Sequence, residues 1–230
     1  MSQQQQIVPW SYSAISAFET CPRQYEAKWV TKEVPYQETP ETRWGNDVHN
    51  ALERYIRDGE PMPSNMTQYK KFADAVLARP GEVIAEEGVA LTWDLKEVSW
   101  FTKKTAKNPV WFRTKIDVTI LNGDTAEILD WKTGKRKDDL DQLKLYALVA
   151  FIRYPQVQTV KTGFVWLKEG KLSGPFRFSR KGFDALMEHW MEKYEALEEA
   201  HKTGNFPPQP SGLCHGWCPV TSCPHWRPKK

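Results

Sequence analysis

Two adjacent strand-like runs, Val110 to Leu121 and Thr125 to Thr133, place the tightest constraint on how this chain can fold. Between them lies Asn122-Gly123, a dipeptide suited to a type I′ turn, whose two central residues both need positive φ, so the pair predicts a β-hairpin. With that turn Leu121 stands opposite Asp124 and Asp117 opposite Ile128. Alternation along the strand then puts Ile128, Asp130 and Lys132 on the face that carries Asp117. A turn one residue later, at Gly123-Asp124, sets Asp117 directly opposite Asp130 and keeps the same residues on the same face. In either register two carboxylates and an ammonium share one patch of sheet.

Two carboxylates held close repel and raise each other's pKa unless a cation stands between them. A hard divalent ion such as Mg2+ or Mn2+, with oxygen ligands and several retained waters, suits that place. Lys132 could then orient an attacking water or neutralise charge on a pentavalent phosphorus. Trp131 points its side chain to the opposite face and leaves its backbone carbonyl as a further ligand. The competing reading is a solvated hairpin face with an ordinary ion pair, which contributes little.

Residues elsewhere bear on the choice. Leu140 to Arg153 carries apolar residues at Leu143, Ala147, Ala150, Phe151 and Tyr154, which predicts an amphipathic helix with Asp138 or Asp139 as its N-cap. Gln142 and Tyr146, on its other face with Arg153, form an i, i+4 pair able to donate to a nucleic-acid backbone. Upstream, Trp44-Gly45-Asn46-Asp47-Val48-His49 opens a helix with Val48, Leu52, Tyr55 and Ile56 as its buried stripe. His49 flanks that stripe, where it is either a satisfied core histidine or a third metal ligand.

Gly45-x-x-x-His49, Lys115-Ile116-Asp117, Ile128-Leu129-Asp130-Trp131-Lys132-Thr133-Gly134 and Gln142-x-x-x-Tyr146 together resemble the ordered motifs of the PD-(D/E)XK nuclease superfamily in its RecB-like branch. The resemblance runs from about Tyr12 to Trp226. It implies that His49, Asp117, Asp130 and the carbonyl of Trp131 bind the metal, that Lys132 is the catalytic lysine, and that Gln142 and Tyr146 are site residues beside the DNA strand. Ile116 stands where a proline is usual and Asp130 where glutamate is commoner.

Four cysteines add a separate signal: Cys21, then Cys214, Cys218 and Cys223 in a C-x3-C-x4-C arrangement. The start Met-Ser-Gln-Gln-Gln-Gln has neither a basic n-region nor an apolar h-region, and no run reaches membrane-spanning length, so a cytoplasmic protein without membrane attachment is expected. In a reducing compartment four such thiols point to ligation, of zinc or of an iron–sulfur cluster, with His215 and His225 close enough in sequence for a mixed zinc site. Tyr12 to Tyr25 resembles the amino-terminal cysteine segment of iron–sulfur nucleases, and Leu213 to Pro224 their three-cysteine segment. That split occurs in CRISPR spacer-acquisition nucleases, AddB-type nucleases and phage exonucleases, and it implies a [4Fe-4S] cluster, with Zn2+ as the alternative.

At 230 residues, without a Gly/Ser linker or internal repeat, the chain reads as one domain: a cluster segment over 1–43, a nuclease core over 44–203 and a three-cysteine segment over 204–230. Only the Gln-rich leader and the basic Pro-Lys-Lys tail look disordered. Net charge is only +3, so a local basic patch carries the argument for nucleic acid: Lys103, Lys104, Lys107, Arg113 and Lys115, then Lys135, Arg136 and Lys137. Of the 11 Trp, Trp111, Trp131 and Trp166 are expected in the core, and one or two others on unpaired bases. A second hairpin is expected at Thr159 to Leu167 and Lys171 to Phe178, then a long amphipathic helix ending near Gly204.

The expected fold is α/β, a restriction-endonuclease-like mixed central sheet flanked by helices, its two ends joined at a metal cluster. The expected function is a metal-dependent DNA nuclease, an exonuclease on single-stranded DNA or duplex ends, with a recombination or repair protein as partner and the host cytoplasm as its location if phage-encoded. Alternatives are a CRISPR-acquisition-type nuclease that processes DNA for integration and a non-catalytic DNA-binding module with a structural cluster and a vestigial hairpin.

Overall fold

The computed structural model describes residues 7–103, 105–137 and 139–229; Lys104, Asp138, Lys230 and the Gln-rich leader, all named above, lie outside them. Its centre is a five-stranded sheet in the order β1-β2-β3-β4-β5, made of Glu82–Leu91, Phe112–Asn122, Thr125–Lys132, Thr159–Trp166 and Lys171–Ser179. All neighbours run antiparallel except β3 and β4, which pair in parallel because helix α5 carries the chain across between them. For clarity the helices are α1 (Tyr12–Thr20), α2 (Pro22–Tyr25), α3 (Pro40–Asp58), α4 (Lys70–Leu77), α5 (Leu140–Arg153) and α6 (Phe183–Thr203).

Both sheet faces are covered. One carries Ile128, Phe164 and Trp166 against Leu143 and Phe151 of α5, Trp190 and Tyr194 of α6, and Ile15 of α1. The other carries Val118, Leu129 and Trp131 against Val48 and Leu52 of α3 and Ala73 and Val76 of α4. Helix α3 begins before Trp44: the Thr39 side chain caps it by accepting from the Thr42 N–H at 3.2 Å, and Pro40 at the first turn sacrifices no helical hydrogen bond.

Two expectations are corrected, and the Asp139 N-cap is met without its side-chain bond. Asn122 pairs with Thr125, so the hairpin turn is Gly123-Asp124, not Asn122-Gly123; only Gly123 has positive φ, at 60°, which fits the II′ pattern with glycine first. The Asp124 carbonyl accepts from Gln158 N–H at 2.7 Å and Thr159 N–H at 3.1 Å, tying the turn to the start of β4. Helix α5 is not amphipathic but buried nearly all round, from Leu145 to Phe151 without a break, because it lies between the sheet and α6. Asp139 occupies its N-cap but makes no capping bond through its side chain, which accepts from the Tyr12 hydroxyl instead.

The side-chain alternation of β2 breaks at Asp117. Ile116 packs with one core and Val118, two residues on, with the other. Across the ladder Glu86 holds φ of 49°, unusual for a residue with a side chain, and the β1–β2 pairing skips the Glu86 and Asp117 positions. The second hairpin and the long helix ending at Gly204 lie where expected, and Trp111, Trp131 and Trp166 are buried.

Trp10 fastens the amino-terminal segment to this frame. Its N–H donates to the Trp111 carbonyl at 2.9 Å, and its carbonyl accepts from Arg113 N–H at 3.0 Å. The indole is buried among Trp111, Phe112, Trp190 and Tyr194, with ring centroids 4.6–6.3 Å away. Trp10→Ala is expected to cost about 3–5 kcal/mol, read as a lower urea midpoint at unchanged m-value.

Candidate active site

Parity along β3 sends Asp130 and Lys132 to the face covered by α5, and that helix answers with Gln142 and Tyr146. The Tyr146 hydroxyl donates to Asp130 Oδ1 at 2.7 Å, and Gln142 Nε2 donates to the same oxygen at 3.1 Å and to the Tyr146 hydroxyl oxygen at 2.7 Å. Lys132 Nζ stands 2.6 Å from Asp130 Oδ2 and donates to Gln142 Oε1 at 3.0 Å, while lying over the Phe164 ring. Asp130 Oδ2 meets the ammonium as an ion pair but without hydrogen-bond alignment, so this buried oxygen has no donor.

Asp117 completes the group from β2. Its Oδ2 accepts from Trp131 N–H at 2.8 Å and its Oδ1 lies 3.1 Å from His49 Nδ1. Gly45, one turn before His49, leaves room for Thr133: a Cβ there would come within 3.1 Å of the threonine hydroxyl. Helix α3 and the end of β3 therefore approach closely beside the site. The Trp131 side chain points into the opposite core, as parity demands.

The electrostatics follow from burial. Desolvation, then the Asp117 charge, raise the Asp130 carboxyl above its ordinary value, against the pull of Lys132 and Tyr146. Desolvation lowers the His49 imidazole, but the Asp117 charge and hydrogen bond, with the Asp130 charge behind them, outweigh it and leave the pKa raised. Burial and the two carboxylates push the Tyr146 phenol well up, so it remains a proton donor near neutral pH.

Gln142 and Tyr146 were expected to turn toward nucleic acid, but Tyr146 is buried and donates to Asp130, while Gln142 donates to Asp130 and accepts from Lys132. They nevertheless line a groove of about 450 Å³ with Arg113 and Lys115. Lys115 is exposed and paired with Glu86, whereas Lys135 and Arg136 lie exposed on the segment between β3 and α5. Sequence reasoning missed Glu86 and the groove walls Trp10, Tyr12, Trp29 and Trp100; no periodicity marks them, because long-range packing brings them here.

The two cysteine segments do meet. Gln24 Nε2 donates to Cys218 Sγ at 3.8 Å, Arg23 to the Ser222 hydroxyl at 3.3 Å, and Gln209 N–H to Cys21 Sγ at 3.4 Å. All four thiols are free and partly exposed. Among the described residues, however, no three His, Cys, Asp or Glu side chains gather as a metal-ligand group. A tetrathiolate cluster needs all four ligands at once, and in this arrangement the thiols stand in the two facing segments without being gathered. The acidic site faces a lesser demand: Mg2+ is held by one or two carboxylates plus water and substrate oxygens, and Asp130 Oδ2, paired with Lys132 but without a hydrogen-bond donor, fits a hard cation.

The mixed sheet and this carboxylate–lysine site define a nuclease-type architecture, and the chain belongs to the PD-(D/E)XK nuclease superfamily, whose family profile matches residues 9–224. Among curated proteins none matches. Solved structures similar to this one include a candidate exonuclease from Eubacterium rectale, at 12% identity and TM-score 0.48 over 90% of this chain and 86% of that one. Another is described as SSO0001, at 12% identity and TM-score 0.46 over 97% and 88%. Among the described residues no helix is long and apolar enough to cross a membrane.

The raised Asp130 pKa ties the stability of the fold to pH. The native state holds the proton more tightly than the unfolded chain, whose value is near 3.8, so this stabilisation is full below that pH and is lost as pH rises through the native value. Asp130→Asn carries no such charge. In chelator, its stability relative to the natural protein is expected to grow as pH is raised above about 4, measured by urea unfolding at several pH values.

Proposed function

We propose that the protein is a metal-dependent deoxyribonuclease that hydrolyses phosphodiester bonds as an exonuclease on single-stranded DNA or duplex ends, within cytoplasmic recombination, repair or phage DNA metabolism. The observation that carries this reading is the buried Asp130 carboxylate, one oxygen fully bonded and the other without a donor, set between Lys132 and Asp117.

Asp117 and Asp130 would hold Mg2+ or Mn2+, with His49 and the Trp131 carbonyl as further ligands. Such an ion, when bound, lowers the pKa of a water and polarises a phosphoryl oxygen. Tyr146 and Gln142 fix Asp130 Oδ1, which leaves Oδ2 for the cation. Gln142 also holds the Lys132 ammonium in place, so that its charge is available to orient the nucleophile and to neutralise the phosphoryl group as negative charge builds there. Through its 3.1 Å contact His49 orients Asp117.

End-labelled linear and closed circular DNA, each with and without divalent metal, test activity and end dependence together. Cleavage is expected only with metal and only from ends. Lys132→Ala is expected to lower the rate at least about 100-fold, with Asp117→Ala and Asp130→Ala as severe, and each variant should fold. Wild-type cleavage by Lys132→Ala would sink the assignment.

We also propose that the cysteine segments hold a [4Fe-4S] cluster, supported by the split motif and by the N–H···S bonds at Cys21 and at Cys214, where Ser211 donates at 3.5 Å. Loading would have to draw the thiols together. Anaerobic purification is expected to yield brown protein with stoichiometric iron and sulfide; a colourless zinc protein would refute the cluster.

A further inference from the structure

The groove that opens onto the Asp130 network has walls of a distinct kind. Beside Gln142 and Tyr146 it is lined by Trp29, Trp100, Arg113 and Lys115. We propose that it is a subsite for one unpaired nucleotide of single-stranded DNA, with the base against the indoles of Trp29 and Trp100 and a phosphate against Arg113 and Lys115. The proposal rests on the nuclease reading of the neighbouring carboxylates and adds to it where the strand lies.

Trp29 is not a core tryptophan. Trp131 and Trp166 are 2% and 3% exposed, whereas Trp29 is 37% exposed. It is nevertheless held in place: its indole stacks on the buried Tyr25 ring at 5.4 Å with planes only 9° apart. An aromatic surface that is rigidly backed and open to solvent is what base stacking requires. Trp100 is backed by the sheet, close enough to Gly88 that a Cβ there would lie 3.4 Å from its ring.

The polar half of the groove is also unfinished. Arg113 lies over Trp100, its Cζ 5.7 Å from the ring centroid, and its Nε is buried without an acceptor. Leaving a charged donor unpaired in such a place is costly, and a phosphate oxygen supplies the missing acceptor. Lys115, exposed on the same strand and paired with Glu86, also lines the groove. The volume, about 450 Å³, falls within the roughly 300–1,000 Å³ typical of small-ligand pockets. A paired base has both faces covered by its neighbours in the stack, so this combination selects an unpaired one.

The test uses the full chain in chelator, so that nothing is cut, and follows the anisotropy of labelled oligodeoxythymidylate and of a blunt duplex. Trp29→Ala and Trp100→Ala are each expected to weaken single-strand binding about tenfold while duplex binding changes less than twofold. Trp29→Phe, which keeps a ring, should recover most of the affinity. Unchanged single-strand binding in Trp29→Ala, or equal losses for both DNA forms, would overturn the subsite. Because Trp29 is exposed, its pair of variants stands even if Trp100→Ala fails to fold. Metal-dependent cleavage with no effect of Trp29 defeats the subsite alone. Binding that depends on Trp29 in a wild-type protein that never cleaves DNA defeats the nuclease reading alone.

Discussion

One buried charge organises this molecule. A carboxylate taken out of water costs several kcal/mol unless it is bonded and paired, and Asp130 is 4% exposed. The fold supplies what it needs from two directions. Strand alternation brings Lys132 to the same face, and the crossover helix α5 brings Gln142 and Tyr146 at an i, i+4 spacing that reaches one oxygen. The parallel β3–β4 pairing exists because the chain must cross over through that helix, so the topology of the sheet and the support of its central carboxylate have one origin.

The second carboxylate depends on a fault in the sheet. Were β2 regular, Ile116 and Val118 would join the same core; they join opposite ones. The break falls at Asp117 and faces Glu86, whose left-handed backbone is a strained conformation that the surrounding ladder enforces. Irregular backbone beside a reactive group re-aims a side chain that a straight strand would hold elsewhere.

Much of this was legible in the chain. Period-2 alternation placed Asp130 and Lys132 on one face whichever turn joined the strands, and they meet there; Asp117, where the alternation of β2 breaks, meets the Trp131 N–H and His49 of α3. The turn itself was misread because local dipeptide preference ignores the Asp124 carbonyl, which is engaged by Gln158 and Thr159 far along the chain. The α5 stripe was too narrow because burial on several sides erases the polar face that periodicity detects. Tyr146 was read as reaching outward for the same reason, since a phenol with a buried partner looks no different in sequence from one facing solvent. The walls of the groove were invisible, being drawn from residues 9–14, 29 and 100, which nothing local connects.

The Trp10 bridge has a consequence for how the protein comes into being. Residues 9–14 form one wall of the groove, and Trp10 is held there by backbone bonds to residues 111 and 113, about a hundred positions later. Closing so long a loop is entropically slow and earns its contacts only once the hairpin exists to receive it. Residues 9–14 are therefore among the last to find their place, and the folding chain has its acidic centre before it has the groove leading to it.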